Sequence, residues 1–302
     1  MTISNAMSSI EQLPEAPSYK KGWPWTEQSD AWPEKMENGM PWPRITIVTP
    51  SFNQGEYIEE TIRSVILQRY PNLEYIIMDG GSKDHTVQVL EKYTSFITHW
   101  ESKKDEGQTH AINKGFAVAT GEIIAWLNSD DFYTKNAFQH LQPAIPADWK
   151  MGHIQKVRDG ALIGLRRRDM EPDRAIGRCF KNGGRKDFAY SQPASFWSRG
   201  LVNRVGALNE KYNYIMDADF ILRSLAVGYQ PTRIEAPLVN FRLHAESKTI
   251  SQQSGFEIES AQMFLQFSIQ KDFNFTPCLS LAYSHFWKYI FIRFSILKRI
   301  FK

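Results

Sequence analysis

Two adjacent carboxylates, Asp130 and Asp131, follow an apolar run near the middle of the sequence. Residues 123–127 carry no charged or amide side chain, which is typical of a strand buried on both faces. The two acids would then lie past the carboxyl end of a strand, where open α/β sheets bind ligands. Because neighbouring carboxylates repel each other and resist burial, the pair predicts a divalent cation, with Mg²⁺ or Mn²⁺ preferred by oxygen ligands. The alternative is a turn that caps a helix beginning near Thr134.

Other acids stand where further elements begin or end. The second predicted strand, residues 73–78, is followed by Asp79, which could accept hydrogen bonds from a base or a ribose. Asp105 and Gln108 precede a predicted helix, and the amino terminus of a helix favours phosphate. Asp217 begins another predicted helix, whose dipole is expected to lower the pKa of this carboxyl and keep it ionised.

The elements that position these acids alternate between strand and helix. Residues 45–49 form the first predicted strand, and the turn at 50–55 leads into an amphipathic helix. A short third strand is predicted at 96–100, and a β-hairpin at 149–157 and 161–167. The first turn lacks both a G-x-G-x-x-G and a G-K-[ST] pattern, which weighs against dehydrogenases and NTPases.

Composition limits the class of protein. The 302 residues are 42% hydrophobic and 23% charged, which are values of globular proteins. The net charge of +3 is too small to indicate nucleic-acid binding. Cys179 and Cys278 are isolated and suggest neither a disulfide framework nor a zinc site. We find no secretory signal and no apolar run of about 18 residues, so we expect a cytoplasmic protein.

Several longer motifs carry a resemblance to a known family. They are DGGSKDHT from Asp79, DEGQTHAINKG from Asp105, LNSDD from Leu127, QPASFW from Gln192 and RLHAESKT from Arg242. With these motifs, residues 45–249 resemble the family 2 glycosyltransferases. The resemblance implies the GT-A fold, an α/β architecture with a mixed, mostly parallel central sheet flanked by helices. It also implies metal-dependent, inverting transfer of a sugar from a UDP-, dTDP- or GDP-linked donor to a saccharide or lipid-linked acceptor.

The resemblance also implies roles for individual residues. Asp217 would be the catalytic base, and Asp130 and His244 would bind Mn²⁺ or Mg²⁺. The nucleotide sugar would be bound by Pro50, Phe52, Asn53, Asp79, Asp105, Gln108, Lys114, Asn128, Ser129 and Asp131. The acceptor side would include Gln192, Trp197 and Asp219. Asn128 departs from the Asp that the family more often has there, which removes one charge from the cluster.

Simpler interpretations stay open for two of these residues. Asp217 could be an ordinary helix cap, and His244 could be a surface or hydrogen-bonded histidine.

Three segments are predicted. Residues 1–43 are a Trp- and Pro-rich arm, 44–250 the GT-A domain, and 251–302 a helical extension. Within the extension, residues 286–302 alternate aromatic and basic side chains, so this helix could contact the cytoplasmic membrane surface, cover the domain or pair with a second subunit. Two other functions remain possible from sequence: a sugar nucleotidyltransferase and a non-catalytic sugar-nucleotide-binding protein.

Overall fold

A computed structural model describes residues 8–166 and 190–245, together with 255, 256, 258–260, 262 and 263. Both cysteines and the predicted helix at 286–302 lie outside these residues. Within them, nine strands form one mixed sheet that is flanked by helices. None of the helices in this part of the chain has the length and apolar character needed to span a membrane.

Four parallel strands form the first half of the sheet, in the order β3-β2-β1-β4. They are β1 (Ile45–Ser51), β2 (Leu73–Asp79), β3 (His99–Ser102) and β4 (Ile123–Trp126). The helices between them are α1 (Gly55–Ile66), α2 (Thr86–Lys92) and α3 (Gln108–Val118). Ser51 pairs with Asp79, and Asp79 pairs with Ser102, so the carboxyl ends of three strands are level. The loops that follow the strands therefore share one edge of the sheet.

The second half of the sheet is mixed. Its strands are β5 (Phe132–Tyr133), β6 (Trp149–Arg158), β7 (Ala161–Arg166), β8 (Ser195–Ser198) and β9 (Thr232–Arg242). Two helices, α4 (Arg199–Val205) and α5 (Met216–Ala226), follow β8. Strand β8 runs antiparallel to β4 and β6, whereas β9 runs parallel to β6 and antiparallel to β5. Strand β9 therefore returns the chain to the turn after β4.

The structure corrects three predicted boundaries. Strand β1 extends through Pro50 to Ser51, because both residues pair with β2. The third strand begins at His99, three residues later than predicted. The helix predicted from Thr134 is absent there, since this residue instead donates two hydrogen bonds to the carbonyls of Pro237 and Leu238 in the middle of β9. A turn and a 3₁₀ helix at Gln139–Ala144 follow. The predicted hairpin at 149–167 is confirmed as far as the described residues extend.

The N-terminal arm packs its aromatic side chains against α1 and the sheet. Trp25, Trp32 and Trp42 are buried, and the Trp32 indole donates a hydrogen bond to the Gln68 carbonyl. From α1, the buried Arg63 guanidinium donates to the carbonyls of Pro14, Pro24 and Trp25. Because a buried cation needs such hydrogen-bond partners, Arg63 anchors the N-terminal arm to α1.

Close contact between α3 and β1 depends on a glycine. A Cβ added at Gly115 would lie 2.3 Å from Cγ1 of Val48, in the interior of the sheet. We expect Gly115→Ala to destabilise the protein by about 1–3 kcal/mol, because overpacking outweighs the gain in helix propensity. Urea unfolding measures this change. Gly164→Ala is the control, since a Cβ there meets no atom of the described residues within 4 Å. Equal stability of the two variants would contradict the close approach.

Candidate active site

The loop after β1 is locked to the loop after β2. The Asn53 amide donates to Ser82 Oγ at 2.7 Å, and the Lys83 amide donates to Asn53 Oδ1 at 2.8 Å. Asn53 adopts a φ of 52°, which asparagine tolerates better than most residues. This lock presents the preceding Phe52 outward, with 57% of the residue exposed. An exposed aromatic ring at the edge of the sheet offers a flat surface to a ligand.

Asp79 and Asp105 lie together but in different environments. The Asp79 carboxylate is buried and accepts hydrogen bonds from the Ser82 amide at 2.9 Å and Ser102 Oγ at 2.6 Å. A Cβ added at Gly80 would lie 3.0 Å from Asp105 Oδ2, so this glycine admits the second carboxylate. Asp105 is partly exposed. Asp79 therefore orders its own turn, and Asp105 is the more accessible of the two acids.

The amino terminus of α3 reaches the turn after β4. Gln108 Nε2 donates to Asn128 Oδ1 at 2.8 Å, which brings two predicted donor-site residues together. Lys114 lies six residues further along α3, about 9 Å along the helix axis. Its ammonium pairs with Glu101 on β3. This ion pair does not favour the predicted contact between Lys114 and a diphosphate.

Side chains from other elements hold the turn at residues 128–131 by hydrogen bonds to its backbone carbonyls. Thr61 Oγ1, from α1, donates to the carbonyls of Ser129 at 2.8 Å and Asp131 at 2.7 Å. Arg242 Nε, from the end of β9, donates to the Asp130 carbonyl at 2.8 Å. Three consecutive carbonyls therefore accept hydrogen bonds from side chains of other elements, which fixes the backbone that carries the acids.

Arg242 is itself held by charge and by aromatic rings. Its guanidinium pairs with Glu60 at 3.1 Å, and the two side chains are only 15% and 13% exposed. It also lies over the rings of Tyr57 at 4.9 Å and Phe132 at 5.1 Å. A buried arginine with these partners has little freedom to move.

The two adjacent acids differ in accessibility. Asp131 is 1% exposed; its Oδ1 accepts from the Arg242 amide, and its Oδ2 has no hydrogen-bond partner among the described residues. Burial, and then the negative charge of Asp130, raises the pKa of Asp131 well above its ordinary value. The side chain of Asp130 is 24% exposed. Asp130 is therefore the more accessible of the two acids, whereas Asp131 is buried behind it.

His244 lies beside Asp130, as the predicted metal pair requires. His244 Nε2 is 3.1 Å from Asp130 Oδ2, and the imidazole packs against Tyr57 with ring centroids 4.5 Å apart. Among the described residues, no group of three or more His, Cys, Asp and Glu side chains could hold a metal ion by itself. Two protein ligands suit Mg²⁺ or Mn²⁺ bound together with diphosphate oxygens, because such ions keep several non-protein ligands. Asp130 and His244 therefore fit the cation that the sequence predicts.

Asp217 lies in the first turn of α5, as predicted, but its pKa prediction is wrong. Its Oδ1 accepts a hydrogen bond from the Ala218 amide at 2.8 Å. Burial raises the pKa of Asp217 to about 6, because the loss of hydration outweighs the favourable backbone amides. The side chain nevertheless keeps partial exposure. A carboxylate with this pKa can accept a proton near neutral pH.

The three predicted acceptor-side residues lie in the interior. Gln192 Nε2 donates to the Trp126 carbonyl at 2.8 Å, and Trp197 stacks on Trp126 with centroids 4.9 Å apart. Asp219 is 2% exposed and pairs with Arg223 at 2.8 Å. These side chains can influence an acceptor only through the residues that they support.

Sequence reasoning missed Thr61, Glu60 and Arg242 as site residues. Thr61 and Glu60 lie on α1, where no motif marks them. For Arg242 a signal existed, because residues two apart on an extended chain face the same way, and Arg242 precedes His244 by two.

Comparison with known proteins agrees with this architecture. Residues 46–206, more than half of the chain, match the family model described as glycosyl transferase family 2. An uncharacterized glycosyltransferase of Mycobacterium tuberculosis is 30% identical over 205 residues, which cover 66% of this chain and 75% of that protein. A Bacillus subtilis glycosyltransferase named for teichuronic acid biosynthesis, TuaG, is 34% identical over 102 residues, or 32% of this chain and 40% of TuaG.

Solved structures show the same fold at low identity. Residues 1–349 of Staphylococcus aureus TarS, crystallised with UDP-GlcNAc, match with a TM-score of 0.57 at 16% identity, covering 80% of this chain and 79% of that one. The mannosyltransferase PcManGT of Pyrobaculum calidifontis, in complex with GDP-Man and Mn²⁺, matches with a TM-score of 0.56 at 20% identity, covering 85% and 73%. The fold is therefore that of the GT-A glycosyltransferases. The chain belongs to glycosyltransferase family 2.

The buried ion pair behind the turn can be tested by stability. Arg242→Gln should destabilise the protein by about 3–5 kcal/mol, because it leaves Glu60 buried without its cation. The exposed pair of Lys135 and Glu27, 42% and 47% exposed, provides the control. Lys135→Gln should cost less than about 1 kcal/mol. Urea unfolding compares the variants, and a similar small loss for both would contradict the role of Arg242.

Proposed function

We propose that the protein transfers a sugar from a nucleotide diphosphate to a hydroxyl group of a saccharide or lipid-linked acceptor, in a metal-dependent reaction that inverts the anomeric carbon. One observation carries this proposal. Strand β9 brings His244 to 3.1 Å from Asp130, at the edge where the loops after β1, β2 and β4 meet. Two ligands for a hard cation thus stand beside the loops predicted to bind the nucleotide.

Three residues, Phe52, Asp105 and Gln108, support the proposal that the protein binds a nucleotide-sugar donor. The exposed ring of Phe52 suits stacking on a base, and the partly exposed Asp105 can accept hydrogen bonds from a base or ribose. Gln108 and Asn128 are joined by a hydrogen bond beside the metal pair, where a ribose or phosphate could replace it. The neighbours TarS and PcManGT were solved with UDP-GlcNAc and with GDP-Man and Mn²⁺. These two complexes favour a nucleotide-sugar donor without selecting one base.

The chemistry follows from the positions of two acids. Asp130 and His244 would hold Mn²⁺ or Mg²⁺, which when bound neutralises charge on the departing diphosphate. Asp217 would accept the proton of the acceptor hydroxyl as the new bond forms at the anomeric carbon. With Asp217 as the one proposed base, the simplest chemistry is a single in-line displacement, which inverts the anomeric carbon. Asp131 and Arg242 take no part in bond making, but they fix the turn that carries Asp130.

The acceptor class and the cellular location follow from one relative and from the sequence of residues 286–302. TuaG is named for teichuronic acid biosynthesis, which favours a cell-surface polysaccharide or glycan as the product. We place the reaction at the cytoplasmic face of the membrane, because residues 286–302 interleave aromatic and basic side chains.

The products of a donor panel separate this function from its alternatives. The protein is incubated with UDP-, GDP-, dTDP- and CDP-sugars, Mn²⁺ and simple saccharide acceptors. Release of nucleoside diphosphate with a glycoside of inverted configuration supports the proposal. Pyrophosphate exchange would indicate a nucleotidyltransferase, which the lack of Lys and Arg in the 50–55 turn disfavours. If no donor gives a product, the result would indicate a non-catalytic binding protein.

Asp217→Asn tests the base. Turnover should fall by about 10²–10⁴-fold while donor affinity stays unchanged, because the amide cannot accept the proton. In the wild type, kcat/KM should fall as pH drops below about 6, where the Asp217 carboxylate becomes protonated.

The raised pKa of Asp217 also makes stability depend on pH. The stability contributed by protonated Asp217 is complete below pH about 4 and is lost as pH rises through about 6. Asp217→Asn should therefore raise the Tm at pH 8 relative to the wild type, but not at pH 3.5.

The control for this variant is Asp159→Asn, in the exposed hairpin turn. It should change neither turnover nor the pH dependence of stability. Near-normal turnover of Asp217→Asn would show that another group accepts the proton.

Asp130→Ala tests the cation site. Calorimetry with UDP or GDP should show that Mn²⁺ strengthens nucleotide binding to the wild type. The same addition should have little effect on the variant, because one of its two protein ligands is missing. An equal effect of Mn²⁺ on both proteins would place the cation elsewhere.

A further inference from the structure

A carboxylate from the C-terminal part of the chain holds the loop that leads to Asp217, residues 207–215. Glu259 is buried, and its two oxygens accept hydrogen bonds from the backbone amides of Asn213 at 2.9 Å and Tyr214 at 2.8 Å. Amides that precede a helix have no partner within it, and hydrogen bonds to a carboxylate are strong. Glu259 therefore fixes the backbone immediately before α5, three residues from the proposed base.

Apolar packing joins the same two segments. A Cβ added at Gly255 would lie 2.4 Å from the Tyr214 ring, so the glycine permits close contact. The rings of Phe256 and Tyr214 have centroids 5.1 Å apart. Met263 is 1% exposed and belongs to the core cluster that contains Ile215 and Met216. The described C-terminal residues thus form part of the hydrophobic core that packs against the start of α5, which carries Asp217.

The opposite side of the loop is held by α3, the helix that begins at the donor side. Asn113 binds the backbone of Leu208 twice, accepting from its amide at 2.9 Å and donating to its carbonyl at 3.0 Å. Thr109 Oγ1 donates to the Tyr212 carbonyl at 2.8 Å. The loop therefore lies between the donor-side helix and the C-terminal segment, with hydrogen bonds to both.

We propose that Glu259 is a positioning residue that sets the orientation of Asp217 by anchoring the two amides before α5. The inference rests on the proposed function, in which Asp217 is the base. Because Glu259 acts on the base loop and has no contact with the donor loops in the described structure, its loss should affect transfer without affecting nucleotide binding. The C-terminal segment thereby completes the acceptor half of the site.

Glu259→Gln in the full chain is the main test, since the remaining carbonyl oxygen can keep one of the two hydrogen bonds. Turnover of UDP-GlcNAc or GDP-mannose should fall by about 10–100-fold, as expected for a misplaced catalytic group. The Kd for UDP or GDP with Mn²⁺ should stay within about 2-fold, because the donor loops are intact. Hydrogen exchange should show lost protection at residues 213–217. Glu91→Gln, an exposed acid at the end of α2, is the control and should change none of these.

A double variant separates positioning from general stability. If Glu259 acts through Asp217, then Glu259→Gln should cause no further loss of turnover in an Asp217→Asn background. Normal turnover of Glu259→Gln, or the full additional loss in the double variant, would overturn the inference. A wild-type protein that transfers a sugar from none of the UDP-, GDP-, dTDP- and CDP-linked donors would instead count against the proposed function. In that case, the exchange data would still show whether Glu259 anchors the loop.

Discussion

The contact between the end of β9 and the turn after β4 is the constraint on which the site depends. Arg242 donates to the Asp130 carbonyl and His244 lies beside the Asp130 carboxylate, although more than 110 residues separate them in sequence. The cost of burying a cation is offset by Glu60 and by two aromatic faces. As a result, the end of β9 fixes the backbone of Asp130, which would bind the metal ion, and also holds His244 beside its carboxylate.

The parallel half of the fold followed from sequence because its signals are local. Apolar runs mark β1, β2 and β4, and the first two are each followed by a polar turn and a helix. The mixed half depends on pairings between distant segments. Strand β5 has two residues and exists because β9 pairs with it, and Thr134 bonds to β9 instead of starting a helix. No local periodicity encodes such a partner.

The same distinction applies to the site. LNSDD and the later histidine are visible as motifs, and the structure brings Asp130 and His244 together. By contrast, nothing near Asp131 in sequence shows that it is buried and Asp130 exposed. For Asp217, helix position suggested a lowered pKa, whereas the surrounding protein raises it to about 6. Burial is a property of the whole packed structure. For that reason neither the burial of Asp131 nor the raised pKa of Asp217 could be predicted from local sequence.

Pulsed EPR of Mn²⁺ bound to the full chain with UDP or GDP would show whether His244 is a ligand of the cation. We expect nitrogen coupling from the imidazole of His244, and we expect it to disappear in a His244→Gln variant that still binds the nucleotide. Absence of nitrogen coupling in the wild type, or its persistence in the variant, would contradict a cation site built by Asp130 and the end of β9.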